Sequence, residues 1–533
     1  MQHGGAFIRG ALSARSCRVP AARHPVAAKP GRSHPHATAP RRIRTAFVQT
    51  TCQSPARRAR SCWLTYCLRL RVPAAALRPT LRSMNLLAYP LYQAFADLMR
   101  PSRTSASLAR AMLAAWPAST AAFGLDARYL DACCELVEMM GLTHGRPPFG
   151  IDTVAVNGER VAVHEEYVKR TPFGSLLHFR KDSAVPQPRV LIVAPMSGHF
   201  ATLLRGTVRT MLADHDVYIT DWHNPRDVPL SAGRFGFDEY VEHVVSFIRR
   251  IGPDAHLVAI CQPTVASLAA VSLMAADNDP AQPASMTLMA GPIDCRVNPT
   301  RVNELANSKP IEWFERNLIG VVPGGFAGAQ RRVYPGFVQL GAFMSMNLER
   351  HMASFADMHR ERSKGDPEKA DSIRTFYEEY FATTDLTAEF YLETVSSVFQ
   401  QYALPLGKLK VGERLVEPHA IRRTALFTIE GEKDDICAVG QTVAAQDLCS
   451  ALRPYMKTHH VQTGVGHYGV FNGRKWESQI YPMVRATIHN HEPRARRFAA
   501  TSETGAHGEQ LSLRALLDAE TAAAAVIAKA AQT

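Results

Sequence analysis

The sequence has 533 residues, 46% of them hydrophobic, and a formal net charge of +13. This length is enough for one large α/β domain with insertions, or for two domains. The charge alone would suggest a nucleic-acid-binding protein, but residues 1–83 carry 16 Lys and Arg with no Asp or Glu. The rest of the chain is close to neutral, which argues against a basic nucleic-acid-binding surface there.

Residues 1–83 form a basic leader rich in Arg, Ala, Pro and Ser. They contain no long apolar run and no strict helical period, so we expect the leader to be mostly disordered. Its composition fits an organelle transit peptide, a solvated arm that touches anionic surfaces, or translated sequence upstream of a start at Met84. We favour the third interpretation, because the amphipathic pattern begins abruptly at Met84.

Ten cysteines are spread over the chain, and none forms a Cys-x-x-Cys pair of the zinc-binding kind. No apolar run reaches the ~18 residues that a transmembrane helix needs, and no segment has the pattern of a secretory signal. These features predict a soluble protein of a reducing compartment with free thiols. No metal-binding or nucleotide-binding motif is found, so neither a metal nor a resident cofactor is predicted.

Residues 84–150 show apolar side chains at three- and four-residue spacing, which predicts a group of N-terminal helices. These positions are Leu87, Leu91, Phe95, Leu98, Leu108, Met112, Leu113, Leu136, Val137 and Met140. An amphipathic stripe of this kind usually packs against a protein core, and we favour that interpretation. The alternative is that the apolar faces contact a hydrophobic surface.

Residues 151–295 have the pattern of the first part of an α/β domain. The Asn157-Gly158 pair between two alternating runs predicts a β-hairpin. Amphipathic helical patterns then separate near-continuous apolar runs, which begin at Arg189, His215, Ala255 and Ala284. Strands that are buried on both faces and separated by helices predict a mostly parallel central sheet.

Residues 296–423 interrupt this alternation with a helical segment rich in aromatic residues and methionines. An insertion of this size between two strands of a sheet is typical of a cap or lid. Most of its aromatic residues should form the core of the cap, and a minority could line an apolar groove. The motif Pro323-Gly-Gly-Phe-Ala-Gly328 predicts a hinge or a tight loop.

Residues 424–491 resume the sheet pattern as the second part of the α/β domain. The predicted elements are a strand at 424–431, a helix at about 439–452, a strand at 458–464 and a helix at 477–488. Residues 492–533 make a tail with little apolar surface to bury, and no function is predicted for it.

One apolar run ends abruptly at a thiol. Residues 255–260 have the pattern of a strand, Cys261 follows at once, and a helix of small residues begins near Pro263. A strand that turns into a helix directly at a reactive side chain is the nucleophile elbow of α/β-hydrolases. Unpaired N–H groups at the start of a helix favour a thiolate, so Cys261 is the predicted nucleophile.

Two later loops supply a carboxylate and a histidine in the order nucleophile, acid, histidine that this fold uses. Asp434 and Asp435 follow the strand at 424–431, and His467 follows the next strand. We favour Asp434 as the acid because the pattern Gly-x-x-Asp-x-Ile leaves Ile436 to pack into the core, with Asp435 as the alternative. Taken alone, either aspartate would be interpreted as a turn or capping residue.

An attacked ester would also need hydrogen-bond donors for the oxyanion that forms. The backbone N–H of Gln262 is one predicted donor, and a second is expected from Met196 or Ser197 in the loop after the first parallel strand. His199 in the same loop is a candidate substrate contact, although an ordinary loop residue is an equal interpretation.

Four stretches of the sequence carry a further signal. They are Ala259-Ile-Cys-Gln-Pro-Thr264, Ala194-Pro-Met-Ser-Gly-His-Phe-Ala-Thr-Leu-Leu-Arg-Gly206, Asp221-Trp-His-Asn-Pro-Arg226 and Gly466-His-Tyr-Gly-Val-Phe-Asn-Gly473. Together they resemble the intracellular poly(3-hydroxybutyrate) depolymerases, and the resemblance runs from about residue 84 to residue 491. It implies a cytoplasmic α/β-hydrolase that degrades the amorphous polyester of storage granules through a triad of Cys261, Asp434 and His467.

Related polyester synthases also have a cysteine elbow, but with a glycine on each side. Ala259 and Pro263 stand at those places, which favours a depolymerase over a synthase or a generic lipase. A polyhydroxyalkanoate synthase or related acyltransferase is retained as an alternative, and so is a non-catalytic protein that binds granules through its apolar helices. Water and coenzyme A are both open as acyl acceptors; product length and oligomeric state are not indicated.

Overall fold

The computed structural model describes residues 78–115, 127–139, 141–346 and 348–493. The predictions for residues 1–77 of the leader, and for the tail beyond residue 493, lie outside this part of the chain. All described residues belong to one compact unit. No helix in the described ranges is both long and apolar enough to span a membrane.

Fourteen strands occur in the described ranges, and nine of them form the central sheet. The strands are β1 (Thr153–Val156), β2 (Glu159–Arg170), β3 (Gly174–Lys181), β4 (Arg189–Val193), β5 (Asp216–Trp222), β6 (His256–Ile260), β7 (Ser285–Met289), β8 (Gly320–Val321), β9 (Arg332–Tyr334), β10 (Leu386–Thr387), β11 (Lys410–Val411), β12 (Arg414–Leu415), β13 (Ala425–Gly431) and β14 (Lys457–Gln462).

Thirteen α-helices occur in the same ranges. They are α1 (Arg78–Ala115), α2 (Ala127–Met139), α3 (Arg205–Leu212), α4 (Phe237–Ile251), α5 (Pro263–Ala276), α6 (Arg301–Asn307), α7 (Ile311–Leu318), α8 (Gly336–Met346), α9 (Leu348–Lys364), α10 (Pro367–Phe381), α11 (Ala388–Thr394), α12 (Ala444–Leu448) and α13 (Tyr481–His491).

The central sheet has the strand order β1-β2-β3-β5-β4-β6-β7-β13-β14. The first strands pair in antiparallel fashion, and every pair from β5 to β14 is parallel. The predicted hairpin is present between β1 and β2, where Asn157 and Gly158 both have the positive φ that this turn requires. The prediction of a mostly parallel sheet is confirmed.

Helices cover both faces of this sheet. On one face α4 and α5 pack against the sheet, and on the other α3 and α13 do so. All five residues of β6 and all five of β7 are buried, because these strands have a protein layer on each side. This explains why their sequences are continuous apolar or small-residue runs rather than alternating patterns.

The connection from β7 to β13 carries helices α6 to α11, in agreement with a helical insertion. It also contains a three-stranded sheet, in the order β10-β9-β8, and a two-stranded hairpin of β11 and β12. The sequence pattern did not indicate these strands, since strands of two or three residues are too short to show an alternation. The predicted tight loop has turn structure, and the N–H of Gly328 donates to the carbonyl of Arg226 at 2.7 Å.

The helix predicted at 439–452 is shorter than expected, and only α12 forms there. The carboxylate of Glu430 at the end of β13 accepts hydrogen bonds from the N–H groups of Gly440, Thr442 and Val443. These N–H groups are therefore fixed in a turn around a buried carboxylate instead of opening a helix.

Helices α1 and α2 pack together and onto the insertion. Glu135 on α2 is fully buried and forms ion pairs with Arg110 of α1, Arg362 of α9 and Arg374 of α10. Helix α1 begins at Arg78, before the apolar pattern that starts at Met84. One side of α1 packs against the protein, largely through polar and charged contacts such as those of Arg110. The predicted apolar stripe lies on the other side, where these residues are exposed: Leu91, Phe95, Leu98, Leu108 and Met112. The interpretation that this stripe packs against the core is therefore wrong for α1.

Candidate active site

Cys261 lies in the sharp turn between β6 and α5. Its φ is 67°, a left-handed conformation that a cysteine rarely adopts. The turn is fixed on both sides, since the Cys261 N–H donates to the carbonyl of Met289 at 2.8 Å and the Cys261 carbonyl accepts from the N–H of Thr264 at 3.1 Å. A non-glycine residue held in this conformation by its surroundings is typical of functional sites, and it matches the predicted elbow.

The start of α5 lies directly beside the thiol. Pro263 is the first residue of the helix and Gln262 precedes it in a helical conformation. Backbone N–H groups in the first turn of a helix have no partner within the helix, and they carry its positive dipole end. Pro263 carries no N–H, so it leaves no unpaired donor at the first helical position. The Gln262 N–H stands next to Cys261, where the positive end of the helix favours negative charge.

Asp434 and His467 are brought together by two neighbouring parallel strands. Gly431 at the end of β13 is paired with Gln462 at the end of β14, so the loops that follow lie at the same edge of the sheet. The Nδ1 atom of His467 donates to Oδ2 of Asp434 at 2.8 Å, and both side chains are buried.

The loop after β13 fixes the Asp434 carboxylate. Its Oδ1 atom accepts hydrogen bonds from the N–H groups of Ile436 at 2.9 Å and Cys437 at 2.8 Å. Asp435, the alternative acid, is exposed. Of the two aspartates, it is therefore Asp434 whose carboxylate is oriented by backbone donors towards the histidine.

His467 also lies within hydrogen-bonding reach of the Cys261 thiol. Burial lowers the pKa of His467, but the charge of Cys261 and the Asp434 carboxylate outweigh burial, and the pKa is raised well above its ordinary value. Because Nδ1 bonds to Asp434, Nε2 is left to face the sulfur. The site therefore favours the protonated imidazolium form of His467.

The loop after β4 reaches the same edge of the sheet, because β4 lies directly beside β6. The carbonyl of Ser197 accepts from the side-chain amide of Gln339, and the carbonyl of Gly198 accepts from the N–H of Thr384 at 3.0 Å. These bonds fix the loop that contains Met196 and Ser197 against the insertion. The assignment of a Met196 or Ser197 N–H as an oxyanion donor stays a prediction.

His199 is held inside the protein rather than at a groove. Only 4% of the residue is exposed, and its Nε2 lies 3.2 Å from the carbonyl of Tyr380 on α10. Burial lowers the pKa of His199 to about 4, so the ring is neutral at physiological pH. Its contacts join the β4 loop to the insertion, and contact with a substrate stays a prediction.

Two residues near the site were not singled out by the sequence. Tyr468, next to His467, packs its ring against Phe376 and Tyr380 of α10 and against Phe471. Glu430 holds the loop that carries Asp434. Glu430 could have been found from the sequence, because it is the only charged residue in the apolar strand β13.

The fold defines the class of the protein. A sheet in this strand order, with antiparallel strands at one end and an elbow after β6, is the α/β-hydrolase fold. Within the described ranges, no group of three or more His, Cys, Asp and Glu side chains could hold a metal ion.

Three solved structures illustrate how distant the structural relatives are. Epoxide hydrolase from Bacillus megaterium is 11% identical with a TM-score of 0.36, and the match covers 63% of this chain and 99% of that one. Naproxen esterase from Bacillus subtilis is 11% identical with a TM-score of 0.32, and the match covers 68% of this chain and 98% of that one. The third structure is 2-hydroxy-6-oxo-6-phenylhexa-2,4-dienoate hydrolase from Rhodococcus sp. strain RHA1. It is 12% identical with a TM-score of 0.32, and the match covers 62% of this chain and 99% of that one. The fold class therefore rests on the strand order.

A family model matches one part of the chain. Residues 290–492 match the model for the C-terminus of PHB de-polymerases, so this part of the chain is similar to that family. The matched range contains Asp434 and His467, and Cys261 lies before it. No curated protein sequence matches the chain. The fold and this partial match together support an ester hydrolase.

Proposed function

We propose that the protein is an intracellular polyhydroxybutyrate depolymerase that cleaves the ester bonds of amorphous storage-granule polyester. The observation that carries this proposal is the arrangement at one edge of the sheet: the left-handed turn at Cys261, with His467 beside the thiol and hydrogen-bonded to Asp434. In this proposal Cys261 is the nucleophile, His467 the general base and acid, and Asp434 the residue that orients His467.

The first half-reaction forms an acyl-enzyme. The Cys261 thiolate attacks the ester carbonyl carbon, and the carbonyl oxygen becomes an oxyanion that accepts from the Gln262 N–H and from an N–H of the β4 loop. The oxyanion then collapses and breaks the bond to the ester oxygen. The imidazolium of His467 protonates that leaving oxygen, so one end of the cut polymer leaves as a hydroxyl and the other remains as a thioester on Cys261.

The second half-reaction releases the acyl group. Neutral His467 takes a proton from water as the water oxygen attacks the thioester carbonyl, and the collapse of the second oxyanion returns the thiolate. Throughout, the Asp434 carboxylate keeps Nδ1 protonated and Nε2 directed at the reacting atoms. The product is a 3-hydroxybutyrate unit or oligomer with a free carboxylic acid.

Coenzyme A is an alternative acceptor in the second half-reaction, because a thioester can pass its acyl group to another thiol. Two other functions remain as alternatives. A polyhydroxyalkanoate synthase or related acyltransferase would use the same cysteine to build the polymer, and a non-catalytic granule-binding protein would need only its apolar helices.

The deciding experiment compares the wild type with Cys261→Ala on amorphous polyhydroxybutyrate. We expect the variant to release 3-hydroxybutyrate products at least about 10³-fold more slowly, since loss of a covalent nucleophile removes the whole route. Cys437→Ala is the matched control, because Cys437 is a buried thiol in the loop that carries Asp434. This variant keeps the backbone N–H that binds the Asp434 carboxylate, so it should retain activity.

Equal product release by wild type and Cys261→Ala would refute the assigned nucleophile. Polymer formation from 3-hydroxybutyryl-coenzyme A by the wild type would instead favour the synthase. Adsorption to polymer with no release by any form of the protein would favour the granule-binding protein. Repeating the assay with added coenzyme A, and identifying the product as an acid or a thioester, decides the acceptor.

A further inference from the structure

Helix α1 exposes large apolar side chains that no described part of the chain covers. Leu91, Phe95 and Leu98 are 66%, 62% and 74% exposed, and Leu108 and Met112 are each 57% exposed. These residues lie on one side of the helix, because their spacing follows the three- and four-residue repeat of an α-helix. We call this side, from Leu91 to Met112, the α1 face.

The α1 face itself contains no charged residue, and one ion pair, Asp97–Arg100, lies at its border. The other positions that the helical repeat places on it are Ala94, Pro101, Ser102, Ser105 and Ala109. At 1.5 Å per residue the face is about 30 Å long. It is thus a continuous apolar strip, with two serine hydroxyls near its middle as the polar groups that its side chains carry.

The opposite side of α1 is anchored to the protein. The Tyr89 hydroxyl donates to the buried carboxylate of Asp385 at 2.7 Å, and Arg103 donates to the carbonyl of Glu138 at 3.1 Å. Arg110 makes ion pairs with Asp131 and with Glu138. The charged side chains of α1 near its C-terminal half therefore serve the packed side, and the helix holds its apolar face outwards in a fixed orientation.

We propose that the α1 face is the surface through which the protein adsorbs to an amorphous polyester. The inference rests on the proposed function, which requires the protein to meet an insoluble, apolar polymer. An uncharged strip matches an uncharged polymer surface, since no ion on either side has to be desolvated without a partner. The hydroxyls of Ser102 and Ser105 can donate to the ester carbonyls of the polymer.

A second copy of the chain fits this surface less well. The five large side chains expose on the order of 500 Å², which is below the roughly 800 Å² per partner that a stable protein–protein interface buries. At the border of the α1 face, Asp97 and Arg100 already pair with each other at 2.9 Å, so they do not provide free charges that would set the pairing with a second helix. A soft polymer imposes neither requirement.

The test uses the full chain with Leu91, Phe95 and Leu98 all changed to Ser. We expect its affinity for amorphous polyhydroxybutyrate granules, measured by co-sedimentation, to fall at least about tenfold, because three apolar anchors are removed. Hydrolysis of a soluble short-chain ester should stay within about twofold of the wild type, which also shows that the variant is folded.

The matched control changes three apolar residues outside α1 to Ser: Leu230, Leu305 and Tyr455, which are 51%, 59% and 71% exposed. This control should adsorb like the wild type. Adsorption of the α1 variant equal to that of the control would overturn the proposal. A smaller oligomer for the α1 variant than for the wild type in size-exclusion chromatography would also overturn it, because a second copy would then occupy the face.

The two proposals can fail separately. If the wild type adsorbs through the α1 face but releases no 3-hydroxybutyrate, the surface is supported and the depolymerase function is refuted. If the α1 variant degrades and binds granules as well as the wild type, the depolymerase function is supported and the surface is refuted.

Discussion

Two regions of the molecule are stabilised in different ways. At the edge of the central sheet, the side chains of the candidate site are held by backbone groups: Asp434 by two N–H donors and the turn at Cys261 by the carbonyl of Met289. In the helical region of α1, α2, α9 and α10, the contacts include a buried carboxylate, Glu135, surrounded by arginines.

This difference shows how each region can be changed. Backbone N–H donors are positioned by the strand register and do not depend on side-chain identity. The geometry of the candidate site should therefore depend little on which side chains lie beside it. The helical region depends on the charges of a few side chains, each of which can be removed by one substitution. We therefore expect substitutions at the sheet edge to act on catalysis and those in the helices to act on stability.

The largest effect is expected from Asp434→Asn. The variant keeps the shape of the side chain but removes the charge that supports the imidazolium and fixes the tautomer of His467, so kcat on a soluble ester should fall about 10³- to 10⁴-fold. The free energy of unfolding, from urea denaturation, should change far less. Asp435→Asn is the control and should stay near wild-type activity. Equal losses in both variants would contradict the assignment of Asp434.

The converse effect is expected from Glu135→Gln. Removal of this charge takes their common partner from three partly buried arginines, which keep other carboxylate partners, so the free energy of unfolding should fall by about 3 kcal/mol. Glu378→Gln is the control, since the Glu378–Arg374 pair is half exposed on the Glu378 side and its loss should cost at most about 0.5 kcal/mol. A large loss of kcat with unchanged stability for Glu135→Gln would contradict the proposed difference between the sheet edge and the helical region.

A smaller effect is expected where the two regions meet, at Asp385. Its carboxylate accepts from Tyr89 of α1 and from the N–H of Gly336, and its own N–H donates to Asn224 in the loop after β5. Burial raises the pKa of Asp385 from 3.8 to about 6. The folded protein thus binds this proton more tightly than the unfolded chain, and stability is lost as pH rises from about 4 to about 6.

The loss attributable to Asp385 should be about 3 kcal/mol across that pH window. We expect Asp385→Asn to lack this contribution, so the difference in the free energy of unfolding between wild type and variant should favour the wild type more at pH 4 than at pH 7. Urea denaturation of both proteins at several pH values measures it. Parallel profiles for the two proteins would show that Asp385 does not titrate in this window.

The sequence predicted the central sheet closely because its strands carry distinct patterns. The runs at Arg189, Ala255 and Ala284 became β4, β6 and β7, buried on both faces, and Asn157-Gly158 forms the expected hairpin. The elbow could be located from sequence because the strand ends and the helix begins within three residues. These are local signals, and each is contained within one short stretch of chain.

The remaining features depend on contacts between distant residues. A local pattern favoured Asp434 over Asp435, but which carboxylate faces His467 is determined by packing. The turn at 439–443 likewise depends on the buried carboxylate of Glu430. The ring of His199 is enclosed by α10, which lies far away in the sequence. No pattern along the chain reveals such partners, because each is determined by the packing of separate elements.

The long insertion has a consequence for how the chain folds. Strands β7 and β13 are neighbours in the sheet, yet roughly 130 residues separate the end of one from the start of the other. Closing a connection of that length, instead of an ordinary crossover of about 30 residues, costs roughly 1.3 kcal/mol more in chain entropy. We therefore expect β13 and β14 to dock late during folding. Since Asp434 and His467 follow these strands, the acid and the histidine should reach Cys261 only in the last step of folding.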